Sequence, residues 1–283
     1  SKLVEVISNF VPDLIVLGHA DLINRDTLKL IKKNYPNIRI AQWFLDRMDS
    51  EWKINRLRFL KNIDLVDASF CTSDPKTLNF SKKFKIFFIP NPVDPSLEKL
   101  QNYNNRSFNN DVFFAMSHGV HRGVLKQGKF DKRENFIDRL MRRIPNIRFD
   151  LYGMKLNQPV WADNYINAIS QSKIGLNLSQ GKAAKYYSSD RFAQLIGNGL
   201  LVMIDNKTRL NDFFTNKELV FYNDIEDLSY KITKFSNDDK ARNKIARNGR
   251  DKYFKYFNST LVADFIIKKS LGYKNKKTFL WDN

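Results

Sequence analysis

Apolar alternation and short apolar runs recur along the chain. They predict strands at 14–17, 38–43, 68–71, 85–89, 112–116, 147–152, 174–178, 200–204 and 219–222. Segments with helical apolar spacing fall between them, at 52–60, 132–143, 165–171 and 225–235. Strands that alternate with helices in this way build parallel sheets covered on both faces, so the expected fold class is α/β. Beyond Tyr222 the pattern is helical and ends in the basic tail "KKSLGYKNKKTFLWDN".

One stretch breaks the alternation. "FFIPNPVDPSLEKLQNYNNRSFNND", residues 87–111, sets three prolines and a run of asparagines between two strand-like segments. Proline cannot continue a sheet ladder, so the stretch reads as a linker. Two Rossmann-like domains follow, at 1–95 and 96–257, with a C-terminal helix and basic tail at 258–283. The first holds about four strands, fewer than an ordinary nucleotide-binding half, and is short or truncated.

Composition narrows the class. Hydrophobic residues at 42% and aromatics at 13% of 283 residues describe a globular chain with room for a sizeable core. No apolar run reaches the roughly 18 residues of a membrane span, and the first residues lack a signal peptide's apolar stretch. With a lone Cys71 as well, the expected location is the cytoplasm. The net charge of +18 changes the picture more, because a field of that sign favours nucleic acid, acidic lipid headgroups or phosphorylated substrates. A compositional bias toward Lys, Asn and Phe would produce the same number without any partner.

The candidate chemistry centres on "YYSSDRFAQLIGNGLLVMID", residues 186–205. Ser188, Ser189 and Asp190 are good N-cap types, so a helix is expected to start at Asp190 or Arg191. Phe192, Leu195 and Ile196 then face the core, leaving Arg191 and Gln194 together on the other side. A helix N-terminus favours phosphate, Arg191 adds a bidentate partner, and Gln194 one turn on reaches a sugar hydroxyl. An ordinary capped helix with a surface arginine and glutamine has the same signature.

A second cluster lies in "AMSHGVHRGVLKQGKFDKRENF", residues 115–136, after the second domain's first strand. His118, Arg122, Lys126, Lys129 and Arg133 surround Gly119, Gly123 and Gly128, a combination that lets backbone and cations approach a diphosphate. Neither a Walker A loop nor G-x-G-x-x-G occurs, and a solvated basic loop is the plain alternative. In the first domain His19 and Asp46 follow predicted strands, where a histidine could serve as general base toward an acceptor hydroxyl or merely orient substrate. Asp46 and Asp49 make no D-x-D motif, and three histidines with one cysteine give no metal-ligand spacing, so no metal or other cofactor is expected.

Several of these segments, in order, resemble GT-B glycosyltransferases of the family 1/family 4 type and their CgeB-like relatives. "RFAQLIGNG" at 191–199 is similar to the donor-binding pattern R-x-F-E-A-L-A-x-G, and "FFIPNPVD" at 87–94 to the end of that fold's first domain. "FDLYG" at 149–153, "SKIGLNLS" at 172–179, and the helical tail "ARNKIARNGRDKYFKYF" with Gly249 agree as well. The chain departs from the pattern at Gln194, where the family places a glutamate toward the donor ribose, and at Tyr186, where a second acid is usual.

The resemblance implies a GT-B fold with an acceptor-side first domain and a donor-binding second domain. It implies sugar transfer, in polysaccharide biosynthesis, from a nucleotide-diphosphate sugar to a glycan or lipid-linked acceptor. Its donor-binding residues would be His118, Arg122, Arg133, Tyr152, Gly153, Ser189, Asp190, Arg191 and Gln194, with His19 and Asp46 on the acceptor side. The tail lysines Lys268, Lys269, Lys274, Lys276 and Lys277 suggest peripheral contact with an anionic membrane at its inner face. The alternatives are a non-enzymatic binder of nucleic acid or acidic glycan, and a degenerate transferase acting as a scaffold. No RRM, KH or helix-turn-helix signature supports nucleic acid.

Overall fold

The computed structural model describes residues 2–18, 20–117, 131–273 and 279–282. It divides into two compact units: Ser1–Asn91 with Ala184–Tyr187 and Ser259–Asn283, and Pro92–Ala183 with Ser188–Asn258. Each is built on its own parallel sheet, so the expected α/β class with two Rossmann-like halves holds. Every predicted strand is present, with ends shifted by no more than a few residues.

The first unit carries β1 (Leu14–Gly18), β2 (Arg39–Phe44), β3 (Ala68–Cys71) and β4 (Ile86–Phe88), paired in that order. Helices α1 (Lys2–Phe10), α2 (Arg25–Asn34) and α3 (Lys53–Leu60) lie between or before these strands. Leu28 and Ile31 of α2 are buried with Leu17 and Ile40 of the sheet, and Phe59 of α3 packs with Phe44 and Cys71. The four-strand count is the one expected.

The last helix of this unit comes from far along the chain. Ser259–Leu271, numbered α9, packs on β1, β2 and β3. Its Phe265 meets Phe70 and Phe87 edge-on at 6.1 Å, and Phe279 and Trp281 close over Phe265 at 5.0 and 5.6 Å. The described end of the basic tail is therefore packed, because Phe279 and Trp281 are large aromatics that gain by leaving water, while Lys274, Lys276 and Lys277 lie outside the described residues. Lys268 is paired with Asp264 and Lys269 with Asp282, each at 2.7 Å.

The second unit orders its strands β6-β5-β7-β8-β9: β5 (Asn110–Ala115), β6 (Phe149–Tyr152), β7 (Ser172–Asn177), β8 (Leu201–Asp205) and β9 (Val220–Tyr222). The helices are α4 (Lys132–Arg143), α5 (Ala162–Ser170), α6 (Asp190–Gly197), α7 (Ile225–Asn237) and α8 (Asp239–Tyr256). Alternate strand residues Phe114, Ile174 and Met203 share one core with Leu140 of α4 and Leu228 of α7. On the other face Phe113 meets Tyr165 of α5 edge-on at 5.5 Å, and Gly175 admits Leu195 of α6. Gly249 lets α8 close in the same way: a Cβ there would lie 2.2 Å from the Glu218 carbonyl oxygen.

The asparagine-rich stretch departs from its reading as a linker. From Pro92 onward it is part of the second unit. Asn102 is buried and its amide donates to the carbonyls of Ile169 (2.6 Å) and Ser172 (3.1 Å), while Tyr103 enters the core. The Asn198 side chain accepts from the Leu100 N–H at 3.0 Å. An asparagine amide can satisfy backbone groups that no ladder reaches, so a polar run can serve as a packed segment.

Candidate functional site

The carboxyl ends of β5 and β7 face a common edge, because the sheet is parallel throughout. There α6 begins. Ser189 sits at its N-cap with extended backbone, but its hydroxyl makes no cap bond and instead donates to Asn177 Oδ1 at 3.1 Å. The Asn177 amide nitrogen is buried with no hydrogen-bond partner among the described residues. Asp190 turns back to accept from the Arg191 N–H at 2.9 Å.

Arg191 and Gln194 lie on the half-buried side of α6, one turn apart, as their spacing predicts. The Arg191 guanidinium stands over the Phe114 ring at 5.2 Å and donates to the Leu178 carbonyl at 3.4 Å, which fixes its direction. Both residues line a cleft of about 710 Å³, together with Asp190, Glu98, Trp161 and Tyr165. Met116 and Ser117, just past β5, form its floor at the strand ends. A cleft of this size with a few convergent polar groups is the usual form of a small-ligand site.

Two members of the cleft were not singled out from the sequence. Glu98 is buried, and burial raises its carboxyl above the ordinary range, although the Asp94 N–H donates to Oε2 at 2.7 Å. The Tyr165 hydroxyl is buried without a partner among the described residues. Burial drives its phenol well upward; Arg191 opposes this, and Asp190 and Glu98 add to it, so all three charges act on one oxygen. An unsatisfied buried hydroxyl costs free energy that a ligand acceptor or donor would recover. The sequence signal for Glu98 was slight: Asp94 and Glu98 stand four apart, the spacing at which the carboxylate reaches back to the earlier N–H.

The other anticipated residues are distributed more widely. Arg133 opens α4 but is clasped by its own N-cap: Nε reaches Asp131 Oδ1 at 3.0 Å and its terminal nitrogen Oδ2 at 2.8 Å. Gly153 has φ +72° and closes so tightly on Met116 that a Cβ would fall 1.6 Å from the carbonyl oxygen. Tyr152 lines a second cleft that shares residues 159–161 as a wall with the first. Asp46 is half-buried two residues beyond β2, in the first unit. His19, His118 and Arg122 lie outside the described residues.

Comparison with known proteins agrees with this architecture. The family described as glycosyl transferase-like matches residues 132–268. Among solved structures, TarM superposes with a TM-score of 0.64 at 11% identity, covering 94% of this chain and 57% of TarM. Sucrose-phosphate synthase from Thermosynechococcus elongatus gives 0.58 at 11% identity, over 94% of this chain and 75% of the enzyme. HepE of Anabaena, solved in complex with UDP, gives 0.58 at 11% identity over 94% and 80%. The chain thus spans little more than half the length of TarM. These likenesses establish the GT-B type of fold. No curated protein sequence matches the chain.

Proposed function

We propose that this protein is a glycosyltransferase whose donor, a nucleoside-diphosphate sugar, lies in the cleft at the start of α6. The observation that carries the reading is the convergence of Arg191, Gln194, Glu98 and the unpartnered Tyr165 hydroxyl on one cavity at the strand ends. In transfer, the bond from the anomeric carbon to the diphosphate oxygen breaks and a bond to the acceptor oxygen forms. The acceptor hydroxyl gives up its proton, and the nucleoside diphosphate departs with the bonding pair.

Charge develops on that leaving group, so rate depends on cations already in place. Arg191 is the fixed one, held over Phe114 and by the Leu178 carbonyl. Arg133, released from Asp131 toward a stronger anion, adds a second, and His118 and Arg122 belong to the same phosphate-facing segment in this reading. With side chains supplying the countercharge, the transfer is taken as metal-independent. The ribose hydroxyls fall to Gln194 and Glu98.

Glu98 bears on the scaffold alternative. Gln194 cannot supply the negative acceptor that a glutamate would, yet the cleft contains a carboxylate from another segment. This favours a working donor site over a relic. On the acceptor side His19 is assigned as the base and Asp46 as its partner in orienting a glycan or lipid-linked hydroxyl.

A calorimetric screen of uridine, guanosine, adenosine and thymidine diphosphates, with their sugars, tests the assignment. One nucleotide binding stoichiometrically, with weaker binding in Arg191→Ala, is the expected result. Equal, steeply salt-dependent binding of any nucleic acid and no nucleotide binding would overturn it.

A further inference from the structure

The second cleft, of about 770 Å³, runs along β6, an edge strand, and the exposed side of α5. Its chemistry differs from that of its neighbour. Of the fourteen described residues lining it, seven are asparagine or glutamine, and none is lysine, arginine or histidine. In a chain with 48 Lys and Arg among 283 residues, a cleft whose described lining holds no cation is a specific arrangement.

We propose that this cleft is a carbohydrate-binding subsite that holds a neutral oligosaccharide, separately from the nucleotide. Its one charge among the described residues is Asp150, which sits with Tyr152 on the same face of β6. Burial holds the Asp150 carboxyl above its usual range. Among the described residues phosphate, nucleic acid and acidic lipid would find no countercharge here and one carboxylate opposed to them. Sugar hydroxyls donate and accept at once, and so does a carboxamide, which offers two donors and an acceptor in one plane.

The amides are placed to be used. Asn164 and Asn167 stand one turn apart on the outer face of α5, and neither side chain has a hydrogen-bond partner among the described residues. Opposite them the Asn109 amide donates to Gln171 Oε1 at 2.9 Å, and Asn157 donates to the Leu151 carbonyl at 2.9 Å. These bonds fix two amides while leaving each with acceptor capacity. Trp161, 54% exposed at the start of α5, supplies a flat apolar ring against which the C–H face of a pyranose can pack.

The loop that presents this tryptophan is held in costly geometry. Lys155, Leu156 and Ala162 all have positive φ, at 49°, 67° and 49°, without being glycine. Such conformations persist where the surroundings demand them and gather at binding sites. Because residues 159–161 wall both clefts, a sugar chain here would lie beside the nucleotide and could be held between successive transfers.

The test uses the whole chain with maltohexaose, cellohexaose and chitopentaose as probes, and titrates each by calorimetry with and without UDP. At least one should bind with a dissociation constant of about 1 mM or tighter, and UDP should not displace it. The double variant Asn164→Ala/Asn167→Ala, altered only at exposed positions, should weaken that binding about tenfold, as loss of two hydrogen bonds implies. Its UDP affinity and melting temperature should stay as in the parent. Failure of all three sugars to bind, equal binding by the double variant, or competition by UDP would each overturn the subsite. A protein that binds sugar but no nucleotide would instead count against the donor assignment alone.

Discussion

Leu195 of α6 presses directly onto Gly175 of β7: a Cβ built on the glycine would lie 2.8 Å from one leucine methyl and 2.9 Å from the other. This close approach sets the depth at which α6 rests on the sheet, and with it the position of Arg191 one turn earlier. Gly175→Ala should therefore cost about 1–3 kcal/mol of stability through overpacking and also weaken nucleotide binding. Gly175→Ala/Leu195→Ala should recover part of the stability, a coupling that chemical denaturation of the four-member cycle measures. Strict additivity would mean that the contact is not what sets the depth.

Arg191→Ala removes the fixed cation of the donor cleft and leaves its apolar supports in place. Nucleotide-sugar affinity should fall by about 1.5–3 kcal/mol, the range for a charge-assisted hydrogen bond, with the fold retained. Calorimetry on the folded variant decides it, and unchanged affinity would remove the diphosphate from this site.

Glu98 gives a pH signature. Its folded value lies above the ordinary 4.5 because burial disfavours the carboxylate. A raised folded value means that the contribution to stability is complete at low pH and declines as pH rises from about 4.5 through the folded value. Glu98→Gln, which still offers an acceptor to the Asp94 N–H, should abolish that decline. Denaturation midpoints of parent and variant across the acidic range supply the comparison; parallel curves would show that Glu98 carries no such linkage. The same variant should weaken nucleotide binding more at neutral pH than Gln194→Glu does.

On the acceptor side, His19→Ala and Asp46→Asn should lower turnover with little effect on donor affinity. A general base contributes on the order of a hundredfold or more to rate, so His19→Ala should show at least that loss in kcat. Steady-state kinetics with a fixed acceptor, beside nucleotide titrations, separates the two effects. Full turnover by the folded variant would leave His19 without a catalytic part.

Much of the fold was legible because parallel strands buried on both faces appear as continuous apolar runs, such as those around Phe114 and Met203. The start of α6 was legible too, since Ser189 and Asp190 are types that begin helices whatever surrounds them. Asn102 was not. An asparagine that donates to two distant carbonyls has the same letter as one in an open loop, and only the folded backbone says which carbonyls stand unpaired. Glu98 and Tyr165 were hidden for a related reason. Their part in the cleft depends on segments 67 residues apart meeting, and no local period records that. Tyr152 was drawn toward the donor site by its strand-end motif, whereas the structure turns it to the amide-lined cleft.

The packing of α9 has a consequence for the order of events on the ribosome. Residues 92–258, apart from 184–187, form the second unit, so nearly all of it emerges as one stretch. The first unit emerges earlier but lacks the helix whose Phe265 covers Phe70 and Phe87. Its sheet must wait with that apolar face uncovered while residues 92–258 are still being made, and at elongation rates of about 5–20 residues per second that is a wait of many seconds. This unit thus emerges before the second and is completed after it, with the apolar residues of β3 and β4 uncovered in the interval.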